Sequence, residues 1–276
     1  MLTDSRPLRV AVLSSHRAPG LCGLLERDPN RGCTYEVVSV LTSETVFADE
    51  DAVRRLGPEV IGHPIDAFYG RRPTSVARDP NARRRYDRET LARLRPCAPD
   101  LLVLDGYGYL VTEPVLEAFP RRVMNLHFSD LTIRDADGRP IFAGRRAVRD
   151  ALVAGQRETA ATLHLVNEWP DGGAPIVRSW PHPVSPMVAR ARRWQADDMF
   201  KAYVFAHQEW MMRGASERVL AAALELVAAR AVDLDALGAT DPAKVTPWLV
   251  DERGRLTPPA GVPMFDRLWA YERATA

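Results

Sequence analysis

Asp100-Leu101-Leu102-Val103-Leu104-Asp105-Gly106 is an aliphatic run closed by an acidic residue and a glycine. No polar residue falls at every second place, so neither face of the segment is written for water. That pattern predicts a strand buried on both sides of a parallel sheet. Working back from it, residues 86–94 carry helical periodicity and are stopped by Pro96 and Pro99. Leu8-Arg9-Val10-Ala11-Val12-Leu13, between Pro7 and Ser14-Ser15, repeats the same apolar character, residues 36–41 repeat it again, and residues 60–65 do so more weakly. Working forward, residues 123–127 supply a fifth strand. Strands separated by helix-length segments predict an α/β fold with a doubly wound, mostly parallel sheet. Ligands bind such a sheet at the carboxyl ends of its strands.

Further on, residues 143–155 read as a helix ended by Gly155, residues 159–167 alternate like a strand, and residues 176–180 form another short strand. Past Pro186 the pattern turns helical, with one helix expected over 197–212 and a second over 216–229. Residues 248–256 read as a terminal hairpin with Arg253-Gly254 in its turn. The expected organisation is a core over residues 1–185, with the helices and hairpin of 186–276 packed on the same domain.

Composition narrows the function classes. A 276-residue chain with 46% hydrophobic residues can bury a substantial core. A net charge of +1 provides no general attraction to nucleic acid or to an anionic membrane, so neither is expected as a partner. Of 37 basic residues only Lys201 and Lys244 are lysines. The three cysteines, Cys22, Cys33 and Cys97, form no Cys-x-x-Cys and leave an odd count. This argues against a disulfide framework or zinc site and for a reducing, cytoplasmic setting. No charged-then-apolar leader precedes Leu8, and no apolar run reaches membrane-spanning length.

The chemistry concentrates at Val123-Met124-Asn125-Leu126-His127-Phe128-Ser129. Alternation along a strand puts Asn125 and His127 on one face. An amide donor beside an imidazole at a strand end suits acyl transfer, since the amide can donate to a developing oxyanion and the imidazole can move a proton. A polar strand end with a hydrogen-bonded histidine is the plainer reading. The turn Trp169-Pro170-Asp171-Gly172-Gly173 shifts the balance by offering a carboxylate to the same cleft.

Asn125-Leu126-His127-Phe128-Ser129, then Phe142-Ala143-Gly144, then Asp171-Gly172-Gly173-Ala174-Pro175-Ile176 resemble, in order, the motifs of the folate-dependent formyltransferase family. The resemblance is strongest to the branch that formylates glycinamide ribonucleotide. It implies a Rossmann-like sheet, 10-formyltetrahydrofolate as co-substrate, a small-molecule amine as acceptor and no metal. It makes Asn125, His127 and Asp171 the catalytic residues: Asn125 on the oxyanion, His127 moving the proton, Asp171 raising the basicity of His127. It assigns the folate ring to the loop Gly106-Tyr107-Gly108-Tyr109-Leu110-Val111, with Tyr107, Tyr109, Leu110, Val111 and Gly172 as its contacts; a plain strand-to-helix connection with aromatic core residues is the other reading of that loop. Ser129 is expected only to support the loop, and His164 to be a packed strand residue.

The departures bear on the acceptor. In that branch a glycine-rich loop after the first strand holds the acceptor phosphate on backbone amides. This chain reads Ser14-Ser15-His16-Arg17-Ala18-Pro19-Gly20 there, and Pro19 has no N–H to give. Arg17 and the run Arg83-Arg84-Arg85 read as solvated charges. Residues 133–144, with Asp135, Asp137 and Arg139, replace a shorter family segment at the rim of the cleft. The expected activity is formyl transfer to an amine other than glycinamide ribonucleotide. Hydrolysis of formyltetrahydrofolate and a catalytically silent ligand-binding protein are the alternatives. A nucleotide-dependent dehydrogenase fits less well, because no Gly-x-Gly-x-x-Gly follows the first strand.

Overall fold

In the computed structural model, which describes residues 6–28, 30–70 and 79–263, the apolar runs become the spine of one sheet. β1 (Leu8–Ser14) leads through α1 (Leu21–Arg27) to β2 (Tyr35–Thr42), and α2 (Glu50–Leu56) leads to β3 (Glu59–Gly62). After α3 (Ile65–Tyr69) and α4 (Pro80–Leu94) come β4 (Leu101–Leu104), α5 (Glu113–Ala118) and β5 (Val123–His127). The chain continues through α6 (Ala147–Val153), β6 (Glu158–Thr159), β7 (Thr162–Leu165), β8 (Pro175–Ser179) and β9 (His182–Pro183). It then runs through α7 (Met187–Arg193), α8 (Asp197–Ala228), α9 (Leu234–Ala239), β10 (Trp248–Val250) and β11 (Leu256–Thr257).

The sheet order is β11-β10-β8-β7-β5-β4-β1-β2-β3, while β6 and β9 form a separate ribbon. Strands β3, β2, β1, β4 and β5 are parallel, and β7 enters antiparallel to both β5 and β8. The direction of winding reverses between β1 and β4, where doubly wound sheets hold their ligands. Successive residues of the apolar runs feed opposite cores. Val10, Val12, Leu101 and Val103 join α1 and α8 on one face, and Ala11, Leu13, Leu102 and Leu104 join α5 on the other. Burial of each such side chain contributes about 1.5–3 kcal/mol, which is why unbroken apolar stretches became central strands.

Several boundaries differ from those expected. α4 begins at Pro80 rather than near Tyr86, because the Asp79 carboxylate accepts the Ala82 N–H at 2.9 Å and Pro80 takes the first position. Ile65 opens α3 instead of ending β3. The expected strand over 159–167 is split: Thr159 pairs with β9, and Thr162–Leu165 form β7 between β5 and β8. The two helices expected after Pro186 are a single one of 32 residues. A mid-helix glycine costs about 1 kcal/mol, a cost the helix absorbs at Gly214, where a Cβ would make only ordinary contacts at 3.7 Å with Trp180 and His182. The terminal hairpin forms as expected, and β10 adds it parallel to β8. Among the described residues no helix is long and apolar enough to cross a membrane.

α8 is fastened to the β6–β9 ribbon by buried histidines. His207 meets the Thr159 hydroxyl at 2.8 Å and His182 lies edge-on to Trp210 of α8, ring centres 5.0 Å apart. Burial, with His182 adding to it, pushes the His207 imidazole down to about 4, and burial likewise lowers His182. An unfolded histidine titrates near 6.5, so between those values the unfolded chain binds more protons at these two sites, and their contribution to stability falls as pH drops. The melting midpoint is expected to decline from pH 6.5 to pH 4, and to decline less in His207→Gln. A midpoint flat across that window in the unaltered protein would contradict this account.

Candidate active site

β5 ends at the carboxyl edge of the sheet with Met124 and Leu126 buried and with Asn125 and His127 half-buried on the other face. The antiparallel register sets Asn125 directly opposite His164 of β7. Residues so paired have Cβ atoms only about 5 Å apart. The third side arrives from the β7–β8 connection. Asp171 sits there at φ +53°, in the left-handed region that aspartate tolerates better than most residues. The connection is folded hard against β7, since a Cβ on Gly173 would stand 1.8 Å from the Leu165 carbonyl oxygen. Gly173 is therefore required by close approach. Gly172, expected at the folate, is pressed onto Trp169 in the same turn.

One carboxylate oxygen joins the group. Asp171 Oδ1 lies 3.2 Å from Asn125 Nδ2, 3.6 Å from His127 Nδ1 and 3.6 Å from His164 Nε2. Asp171 Oδ2 accepts the Gly144 N–H at 2.7 Å, which ties the residue 133–144 loop to the cleft. His164 Nδ1 is 2.6 Å from the Leu165 carbonyl, so Nδ1 carries a proton, and a neutral ring turns the Nε2 lone pair to the Asn125 amide, 3.2 Å away. The Asn125 N–H groups are thus shared between Asp171 and His164. His127 Nε2 is buried without a protein partner. The Ser129 hydroxyl has none either, and its carbonyl accepts from Thr162.

Burial alone would raise the Asp171 carboxyl. The close approach of His164, the facing His127 and the Gly144 N–H reverse this and hold it well below the usual carboxylate range. His127 moves opposite to expectation: burial lowers it, and attraction to Asp171 offsets only part of that loss. The imidazole is therefore neutral at pH 7, able to accept a proton before it donates one.

The loop expected to hold the folate ring is largely self-satisfied. Tyr107 accepts a hydrogen bond from Arg83 at 2.8 Å and packs with Val111 against the core, while the Tyr109 hydroxyl donates to Glu44 at 2.8 Å. Gly108 N–H is taken by the Ser15 hydroxyl. Of the four side chains assigned there, Leu110 is the large apolar one left exposed.

Four polar groups escaped the sequence reading. His164 is one. Arg83, taken for a solvated charge, is buried beside Tyr86, Tyr107 and Tyr109 and paired with buried Asp87 at 2.8 Å. Arg17 is paired with Glu209 of α8. Asp105, quoted only as a strand end, is fully buried, and its Oδ2 accepts the Gly20 and Leu21 N–H groups at 2.9 and 3.0 Å. Burial pushes Asp105 up to about 7 against those two bonds. Asp135, in the loop expected at the rim of the cleft, spends one carboxylate oxygen on the N–H groups of Asp137 and Arg139. Among the described residues no cluster of histidine, cysteine and acidic side chains could hold a metal ion.

Comparison with known proteins points the same way as the motifs. The profile described as formyl transferase matches residues 8–192. The chain is 29% identical over 182 residues to the trifunctional purine biosynthetic protein adenosine-3 of Drosophila melanogaster, a match covering 64% of this chain and 12% of that protein. It is 30% identical over 155 residues to the methionyl-tRNA formyltransferase of Streptomyces griseus, covering 56% of this chain and 43% of the other. The chain thus spans less than half the length of these curated relatives. Among solved structures, glycinamide ribonucleotide transformylase 1 from Symbiobacterium toebii aligns at a TM-score of 0.55 and 26% identity, covering 79% of this chain and 91% of that one. A formyltetrahydrofolate deformylase from Pseudomonas syringae shares the fold at a TM-score of 0.57 and 19% identity, covering 80% of this chain and 62% of that one. With two thirds of its length inside the profile, this chain belongs to the formyl transferase family.

Proposed function

We propose that the protein moves a formyl group from 10-formyltetrahydrofolate to the amine of a small acceptor that carries no phosphate anchor. The observation that carries this reading is the gathering of Asn125, His127 and His164 within 3.6 Å of a single Asp171 oxygen at the carboxyl edge of the sheet. The acceptor nitrogen attacks the formyl carbon, and the electron pair of the carbonyl passes to oxygen. Asn125 donates to that oxyanion, giving up one of its present bonds to do so. His127 takes the proton of the attacking amine and returns one to the departing folate nitrogen. Asp171 and His164 hold the amide and the imidazole in place.

The acceptor half of the reading rests on Asp105. The first amides of α1 lie beside the winding reversal, where anionic ligands are otherwise held. Here they are already bonded to the chain's own carboxylate, and Pro19 offers no donor. A phosphate there would meet a filled site. Glycinamide ribonucleotide is therefore expected to be a poor substrate, since loss of orientation can cost about a hundredfold in rate. A cytoplasmic setting suits the three free cysteines.

The test is incubation with formyl-folate, with and without a panel of amines. Transfer predicts a formylated product that depends on the amine. Formate released at the same rate without an amine would make the protein a hydrolase, and no turnover with any amine would remove the enzymatic reading. A kcat/KM for glycinamide ribonucleotide of about 10⁴ M⁻¹s⁻¹ or more, ordinary for an enzyme and its substrate, would overturn the acceptor assignment.

A further inference from the structure

The first half of α8 presents an apolar face to solvent. Phe200, His207 and Met211 point inward, while Met199, Ala202, Ala206 and Trp210 are exposed at spacings of three, four and four residues. Such spacing lines them along one side of the helix. Phe205 stands beside this stripe at 68% exposure, and Trp194, just before the helix, is 63% exposed. Large apolar groups gathered in this way mark a surface that another molecule covers.

The stripe is complementary to itself. Its amino-terminal end carries Asp197 and Asp198 and its far end carries Arg213, all exposed. Two such helices crossing antiparallel on a two-fold axis at Ala206 bring each Trp210 over the small Ala202 of the other copy. The same crossing sets each Arg213 beside the other copy's Asp198. A parallel pairing would instead oppose aspartate to aspartate. Within the chain Asp198 pairs at 3.3 Å with exposed Lys201, and Arg213, itself exposed, lies 3.8 Å from a half-buried Glu209 that Arg17 already holds, so neither charge is strongly committed. They are free to re-pair across an interface.

We infer that this face of α8 is the contact surface of a symmetric dimer, with a second copy of this chain as its occupant. The exposed stretch from Met199 to Trp210 is about 17 Å of helix. This is smaller than a standard permanent interface, so the dimer is expected to be concentration-dependent.

Sedimentation velocity on the full chain, from about 1 to 100 µM, where weak interfaces dissociate, reads this directly. A monomer converting to dimer across the range is expected. Ala206→Glu, at an exposed position that leaves the core intact, should remain monomeric throughout with an unchanged melting curve. Arg213→Asp should weaken association at least tenfold, and combining it with Asp198→Arg should restore it, which general stickiness of the patch cannot do. A chain monomeric at the highest concentration overturns the inference. So does a dimer indifferent to Ala206→Glu, or one that the charge exchange fails to restore.

Discussion

Asp171→Asn is expected to lower formyl turnover by about 10³- to 10⁴-fold, the upper range for losing a charged group that positions acid–base chemistry. The substitution isolates the charge. Asparagine accepts the left-handed backbone at φ +53° as readily as aspartate, and its amide oxygen can still take the Gly144 N–H. What changes is Oδ1, the atom that Asn125, His127 and His164 share. An NH₂ there confronts the Asn125 NH₂, donor against donor, and the imidazolium formed during proton transfer loses its counter-charge. Turnover within tenfold of the unaltered protein, in a variant that melts normally, would remove Asp171 from the chemistry.

Asn125→Ala is expected to reduce turnover by on the order of a hundred- to a thousandfold, the usual cost of one oxyanion donor, with folate affinity much less changed. The ligand-free site adds a second consequence. Asn125 also partners His164 Nε2, so the alanine variant leaves a buried ring nitrogen unsatisfied, at about 1–3 kcal/mol of stability. Calorimetry with a non-transferable folate analogue separates the effects. Near-normal turnover in the folded variant excludes Asn125 from oxyanion stabilisation, and absence of analogue binding to the unaltered protein would point to another acyl donor.

The central strands were legible because burial on both faces demands apolar residues at every position, a requirement written wholly within each segment. Residues 8–13 and 101–104 announce themselves in this way, and the two-residue period placed Asn125 and His127 together. The Asp171 turn was legible as a glycine-supported loop. Other features depend on partners distant in the chain. His164 reaches Asn125 only through the register of β5 on β7, and no periodicity within 159–167 carries that register. Arg83 read as one of a run of solvated charges, because the tyrosines that cover it belong partly to another loop. Asp105 looks like any strand end until α1 folds over it. The direction of the His127 pKa reverses for the same reason: a facing carboxylate can be guessed from a motif, but the burial that outweighs it is a sum over everything packed around the ring. Hydrophobic periodicity is a local property of the chain, whereas desolvation and strand register exist only once distant segments have met.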